Sequence, residues 1–310
     1  MVRFADYLGV LPLVNKYGIL LYIYKTWEIG IPSADLLYGN RIVTTRISHM
    51  PFPSSEREVY QRNPLQEVIC QLRFPTILQV TVEKPAQFQN AIRDRYPLYA
   101  EENATGLPKE VVDILAGLPV PKVVQQPVYK FLTKDETRFI ALSQDSIAVS
   151  EKEYQRWEHF REEIKSAASA FQTIYNPAFY TRIGLRYQDV LDRDELGLHD
   201  RQWAELLNPS FIGELGDPAL IDEVDDIRTI SLVRLPEVHK GFVRIVHGLA
   251  KTDDTKKQVY VIDIDFYTEE RSELGDAFQI LNIFNRWGGK LFRWAISQTL
   301  RDALGPTRIQ

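Results

Sequence analysis

Residues 67–74 read Glu-Val-Ile-Cys-Gln-Leu-Arg-Phe, and apolar and polar side chains alternate along them. One side of this alternation consists of Val68, Cys70, Leu72 and Phe74. Because successive side chains of a strand point to opposite faces, a period of two predicts a β-strand with one buried face. Similar patterns predict further strands at residues 128–133, 137–143, 146–150, 179–191, 227–235, 241–250 and 258–267.

Two long segments with helical spacing follow groups of these strands. Residues 151–175 carry Trp157, Ile164 and Phe171 at roughly helical intervals, and residues 275–304 are heavily apolar. Runs of strands followed by a helix, without regular strand–helix alternation, indicate the α+β class. Both parts of the chain follow this order. The sequence therefore predicts antiparallel sheets, each followed and covered by a long helix, in two similar halves.

The first 49 residues differ from the rest of the chain. They hold five Lys/Arg and three Asp/Glu, whereas the whole chain has a formal net charge of -5. Met50 then begins a proline-rich linker. One hypothesis is that Met50 is the natural start and residues 1–49 are an upstream extension; the alternative is an N-terminal subdomain. The two predicted halves are residues 50–191 and 192–310.

The composition excludes several classes of protein. Hydrophobic residues make up 45% of the chain and charged residues 25%, as in ordinary globular proteins. The negative net charge does not indicate a general nucleic-acid-binding surface, although a local basic patch is compatible with it. Cys70 is the only cysteine, so neither an intrachain disulfide nor a cysteine zinc site can form. We expect a cytoplasmic protein that does not enter a membrane.

An acidic motif in the last predicted strand is the strongest candidate for a chemical role. Asp263 and Asp265 are two residues apart, so both carboxylates point to the same face of the strand. Paired carboxylates can hold Mg²⁺ for phosphoryl transfer or share a proton. The alternative is that Ile262, Ile264 and Phe266 form the buried face and the aspartates form the solvated one.

Arginines follow one face of another predicted strand. Arg182 and Arg186 flank Gly184 on this face, and Arg73 of the first strand would join them if the strands are neighbours. Guanidinium groups bind phosphate or carboxylate oxygens in pairs, so these residues are candidates for an anion site. Gly184 would let a ligand or another backbone approach closely. Alternatively, each arginine forms a structural ion pair. A cleft shared with the two aspartates would make a metal-assisted site.

The C-terminal helix presents a wide apolar surface. Trp287, Phe292 and Trp294 cannot all lie on one narrow stripe of this helix. The glycines at 288 and 289 mark a kink or a close contact. Either the helix is a core element under a sheet, or its aromatic side chains are anchors for a partner protein or a second copy.

Several motifs together resemble a known family. They are Asn-Pro-Leu-Gln-Glu-Val at 63–68, Leu-Arg-Phe-Pro at 72–75, Arg-Ile-Gly-Leu-Arg-Tyr at 182–187 and Ile-Asp-Ile-Asp at 262–265. Over about residues 60–305 the chain resembles a sporadically distributed bacterial family of uncharacterised function. This resemblance implies no activity, cofactor or partner for particular residues. The patchy distribution favours a mobile defence or toxin–antitoxin locus as the setting.

Three functional hypotheses remain open. The leading one is a non-enzymatic interaction or regulatory protein without a cofactor, which acts through another protein or a second copy. The first alternative is a metal-dependent enzyme for a phosphate-bearing substrate, with Asp263 and Asp265 as Mg²⁺ ligands and Arg182 and Arg186 as anion clamps. The second alternative is a binder of a small anionic ligand, which uses the arginines without a metal.

Overall fold

The structure, a computed structural model, describes residues 10–14, 20–24, 52, 56–104, 126–221, 223–252 and 257–308. Over these residues the strands are β1 (Val10–Val14), β2 (Leu20–Tyr24), β3 (Glu58–Tyr60), β4 (Leu65–Arg73), β5 (Leu98–Ala104), β6 (Gln126–Leu132), β7 (Arg138–Leu142), β8 (Ser146–Glu151), β9 (Arg182–Leu191), β10 (Arg228–Leu235), β11 (Gly241–Lys251), β12 (Gln258–Thr268) and β13 (Pro306–Arg308). The described α-helices are α1 (Leu78–Val82), α2 (Ala86–Ile92), α3 (Trp157–Tyr175), α4 (Trp203–Leu206), α5 (Pro209–Ile212), α6 (Ala277–Ala295) and α7 (Gln298–Leu304). In this part of the chain, no helix combines the length and the hydropathy that a membrane crossing requires. The prediction that Met50 is the natural start lies outside the described residues.

Nine of the described strands form one antiparallel sheet, in the order β10-β11-β12-β9-β4-β8-β7-β6-β5. Helices and antiparallel strands together confirm the predicted α+β class. The prediction of separate sheets in two similar halves is not confirmed. Strand β9 of the first predicted half pairs with β12 of the second, from Ile183 opposite Thr268 to Leu191 opposite Tyr260. The reason is long-range pairing, which joins the strands of both parts into a single sheet.

One face of this sheet is apolar and packs against the two long helices. On β4 and just beyond it, the buried side chains that point to this face are those of Val68, Cys70, Leu72 and Phe74. Helix α3 contacts β8, and α6 contacts β9 and β12. The rings of Phe74 and Phe171 lie 4.4 Å apart, and those of Phe266 and Phe284 lie 6.0 Å apart. Removal of this apolar surface from water is the main driving force for the fold.

A buried histidine on β11 belongs to the same core. His247 Nδ1 lies 2.7 Å from Tyr260 Oη, and the Tyr260 hydroxyl donates to the backbone carbonyl of Phe211. Because the tyrosine proton is engaged there, the histidine donates from Nδ1. Burial lowers the pKa of His247 to about 4. This histidine is therefore a neutral structural residue at physiological pH.

The helix predicted over residues 275–304 is broken near its end. Helix α6 ends at Ala295, and Ile296 adopts an extended conformation with φ -107° and ψ 150°. Ile296 forms an isolated β-bridge with Leu207, which replaces helical hydrogen bonding at this point. Ser297 then caps α7, since its side chain accepts a backbone N–H of the first turn. The chain continues through α7 to β13, which pairs with β3.

Candidate functional site

The two motifs predicted to carry chemistry lie on adjacent strands, on the sheet face opposite the helices. Asp265 of β12 is directly opposite Arg186 of β9. The ion pairs are nevertheless diagonal. Arg186 Nε donates to Asp263 Oδ1 at 2.7 Å, and Arg182 Nη2 donates to the two oxygens of Asp265 at 3.1 and 2.9 Å. The structure therefore brings the arginines and aspartates together as partners of one another.

These ion pairs engage the groups on which the predicted anion and metal sites depended. Arg186 and Asp263 are only 8% and 7% exposed. Arg73 forms its own pair, with Nη2 3.0 Å from Asp145 Oδ2. No group of three or more His, Cys, Asp or Glu within the described residues is placed to hold a metal ion. The geometry corresponds to the alternative in which the arginines form structural ion pairs.

Gly184 accommodates an arginine side chain. A Cβ atom at Gly184 would overlap the guanidinium of Arg182. That guanidinium crosses the strand, lies 4.9 Å from the Tyr267 ring centroid and donates from Nη1 to Gln71 Oε1 at 2.9 Å. The close approach expected at this glycine is therefore made by Arg182, two residues earlier on the same face of the strand.

The aromatic residues predicted as interface anchors lie in or against the core. Trp287 is fully buried, Phe292 is 8% exposed and Trp294 is half-buried. Phe52 packs against both tryptophans, with ring centroids 5.8 Å from Trp287 and 5.3 Å from Trp294. Helix α6 is held against the protein interior, which is the alternative that the sequence left open.

A pocket of about 670 Å³ lies between α6, β9, β3 and the start of α3. Its aromatic lining consists of Tyr60, Tyr154, Trp157, Tyr187 and Phe292. Of the side chains proposed from sequence as site residues, Phe292 alone lines this pocket. The volume falls in the range of about 300–1,000 Å³ that is typical of small-molecule sites.

Basic side chains also line the pocket. They are Arg57, Arg156, Arg286, Lys290 and Arg293. Arg57 is paired with Glu158, at 2.7 Å between Nη1 and Oε1, and Arg286 is paired with Glu237. Lys290, by contrast, forms no ion pair with any described residue. Its ammonium group leaves a net positive charge on the α6 side of the pocket.

Asp189 is the most unusual residue of the pocket. Asp189 shares the apolar face of β9 with Leu185, Tyr187 and Leu191, and it is only 5% exposed. Within the described residues its carboxyl group has neither a hydrogen-bond partner nor an ion pair. Burial raises the pKa of Asp189 to about 8, and the negative charge of Asp263 adds to this rise. The carboxyl group is therefore mostly protonated at pH 7 and offers both an O–H donor and a carbonyl acceptor.

Tyr60 supplies a second unsatisfied polar group. Its hydroxyl is buried and has no hydrogen-bond partner among the described residues. Burial raises the pKa of Tyr60 to about 12, although the positive charge of Arg293 opposes this rise. A buried polar group without a partner costs about 1–3 kcal/mol. Asp189 and Tyr60 are therefore groups that a bound ligand can satisfy.

A glycine of α6 allows the helix to approach β9 at the pocket. A Cβ atom at Gly288 would lie 2.8 Å from Tyr187 Cε2, and the Tyr187 hydroxyl donates to Asn285 Oδ1 at 3.1 Å. We expect Gly288→Ala to destabilise the protein by about 1–3 kcal/mol, because overpacking outweighs the better helix propensity of alanine. Urea unfolding measures this change. Gly289→Ala is the matched control, because its Cβ would meet only the flexible end of Arg293, at 3.3 Å.

The Gly289→Ala variant is expected to be as stable as the parent or up to about 1 kcal/mol more stable. Equal stability of the two alanine variants would show that the contact between Gly288 and Tyr187 does not control the distance between α6 and β9.

Comparison with known proteins gives no family assignment. A scan against protein-family models found no match, and a search of the curated proteins found no relative. The resemblance drawn from the sequence motifs therefore stays a prediction. The chemistry of the pocket has to be inferred from its own residues.

Proposed function

We propose that this protein is a non-enzymatic, regulatory binder of a small anionic ligand, and that the ligand occupies the pocket beside α6. One observation carries this proposal. A single aromatic pocket of about 670 Å³ is lined by Lys290, which forms no ion pair with a described residue, by the Tyr60 hydroxyl, which has no hydrogen-bond partner among those residues, and by the buried Asp189 carboxyl group. Buried polar groups without a partner cost stability in the empty protein, and a bound ligand that satisfies them is one explanation for their presence.

The pocket lining indicates the chemistry of the ligand. Lys290 and Arg293 are three residues apart, which places them on neighbouring positions of the α6 surface. Two cations at this spacing suit a phosphate or a carboxylate. Tyr60, Tyr187 and the other aromatic side chains suit a flat ring, which they can contact by stacking or edge-on. The favoured ligand therefore joins an anionic group to a planar ring.

This proposal keeps the hypothesis of an anionic ligand but places the ligand at different basic residues, Lys290 and Arg293. The metal-dependent alternative has less support, since Asp263 and Asp265 each bind an arginine in the structure. A role through a partner protein is compatible with the proposal. A ligand that fills the space between α6 and β3 would stabilise their present arrangement, and a partner could recognise that state.

Removal of the lysine charge tests the proposal. We expect isothermal titration calorimetry to detect binding of phenyl phosphate or a nucleoside monophosphate, and Lys290→Gln to weaken it about tenfold, the effect of losing one charge-assisted hydrogen bond. The matched control is Lys165→Gln, at an exposed position of α3 outside the pocket. Lack of binding by these titrants, or equal affinities of the two variants, would contradict the proposal.

A further inference from the structure

We infer that the pocket binds a nucleotide and that the buried Asp189 carboxyl group recognises the hydrogen-bonding edge of its base. This inference rests on the proposed function, because it specifies which residues contact each end of the same ligand. The phosphate would lie against Lys290 and Arg293, and the base would lie at the buried wall formed by β9. Nothing else in the described protein satisfies the Asp189 carboxyl group.

The buried position of Asp189 determines what it can recognise. A carboxylate would need a cation or several N–H donors, and the structure supplies neither at this point. A protonated carboxyl group presents a donor and an acceptor side by side. Its complement is a ligand edge with an acceptor beside a donor, such as the N7 and amino group of adenine. Nucleobases carry such edges on flat rings that suit aromatic walls.

The surroundings of Asp189 favour the neutral acid. Asp263 on β12 places a negative charge near it, and Tyr187 and Tyr60 also interact with it. Glu58 of β3 lines the same pocket and is paired with Arg301. Burial raises the pKa of both tyrosines, so neither becomes charged near neutral pH. Arg293 and Lys290 face the pocket from α6. Their positive charge suits the phosphate, and the uncharged ring is assigned to the wall formed by β9, beside Asp189.

Titration of AMP, CMP, ribose 5-phosphate and inorganic phosphate into the full chain between pH 7 and 9 tests this inference. The bases of AMP and CMP do not titrate in this range, and the phosphate stays mostly dianionic. We expect at least one nucleotide to bind ten or more times more tightly than ribose 5-phosphate. Its affinity should fall above pH 8, approaching tenfold per unit, as Asp189 ionises.

Two substitutions identify the role of the carboxyl group. Asp189→Asn keeps a donor and an acceptor without a charge, so binding should persist and the fall above pH 8 should disappear. Asp189→Leu removes both groups, so the affinity for the nucleotide should drop to that for ribose 5-phosphate. Circular dichroism of each variant verifies that it is folded. The two variants are expected to differ, because binding should persist in Asp189→Asn and should weaken in Asp189→Leu.

Three other outcomes would overturn the inference. Equal binding of ribose 5-phosphate and nucleotides, unaffected by Asp189→Leu, would leave an anion site without recognition of a base. Loss of binding in Asp189→Asn, with wild-type affinity that rises with pH, would show an ionised Asp189 that holds a cationic group. No binding by any titrant, including phenyl phosphate, would contradict the proposed function as well.

Discussion

Asp189→Asn is expected to stabilise the ligand-free protein by about 4 kcal/mol at pH 7. The pKa of this carboxyl group is about 8 in the folded protein and 3.8 when unperturbed. At pH 7 the unfolded chain carries an ionised Asp189, so folding must take up a proton at a cost of about 1.4 kcal/mol for each pH unit above 3.8. Asparagine has the same shape and carries no such cost.

The stability advantage of Asp189→Asn should depend on pH in a defined direction. Between pH 4 and 8 the folded state binds more protons at this site than the unfolded state does, so the contribution of Asp189 to stability decreases as the pH rises. The advantage of Asp189→Asn should therefore be small at pH 4 and should grow up to pH 8. Urea unfolding at pH 4, 5.5, 7 and 8 measures it.

The exposed residue Asp200 provides the control for this experiment, because Asp200→Asn changes the same chemical group at the surface. A stability gain in Asp189→Asn that does not vary with pH would mean that the carboxyl group titrates normally in the folded protein. The predicted gain also has a functional meaning. A residue that lowers stability at physiological pH is a candidate for a role in ligand recognition, because functional sites commonly trade stability for activity.

Arg186→Met is expected to destabilise the protein by about 3–5 kcal/mol. The substitution leaves the Asp263 carboxylate buried and without its arginine, and an uncompensated buried charge carries a cost of this size. The double variant Arg186→Met with Asp263→Leu should recover most of the loss, because two apolar side chains on this face need no partner. Urea unfolding of the single and double variants forms the test.

An exposed ion pair serves as the reference for this second experiment. Arg201 and Glu205 lie one turn apart with 3.4 Å between Nη1 and Oε1, and both are about half exposed. Arg201→Met should change the stability by no more than about 0.5 kcal/mol. A similar small change in Arg186→Met would show that solvent reaches Asp263 and that this pair is not a buried one.

Local periodicity in the sequence predicted most of the strands. The strand expected from Glu67 is β4, and the strand expected over residues 258–267 is β12, one residue longer. The helix expected from residue 151 begins six residues later, at Trp157, because Glu151 still pairs with Val68 in the sheet. Pairing across 83 residues overrides the helical spacing there.

The order of the strands could not be predicted in the same way. Periodicity places Arg186 and Asp263 on particular faces of their strands, but their separation of 77 positions in the sequence leaves the distance between them open. Their ion pair exists because β9 and β12 are neighbours, which depends on the packing of the whole sheet. The sequence alone left both a ligand site and a set of structural ion pairs open at these positions.

The pocket left one local signal in the sequence. Asp189 lies on the same face of β9 as Leu185 and Leu191, where the pattern calls for an apolar residue, so an acid at this position is an exception. The cavity itself has no local signature, because β3, α3, β9 and α6 contribute to it from distant parts of the chain. An acidic residue in the apolar phase of a strand is thus the feature by which such sites can be recognised.

The β3–β13 ladder ties the pocket mechanically to the end of the described chain. Tyr60 lies opposite Pro306 and Arg308 lies opposite Glu58. The three residue pairs of this ladder hold this wall of the cavity, together with backbone hydrogen bonds from Gln61 to Gly305 and from Arg62 to Leu304. A force applied beyond residue 308 would load these few hydrogen bonds before it reached the central sheet. We expect the pocket wall to yield before the central sheet when the chain is pulled from that end. A fusion or an anchor at that end should disturb ligand affinity at a load that leaves the rest of the fold intact.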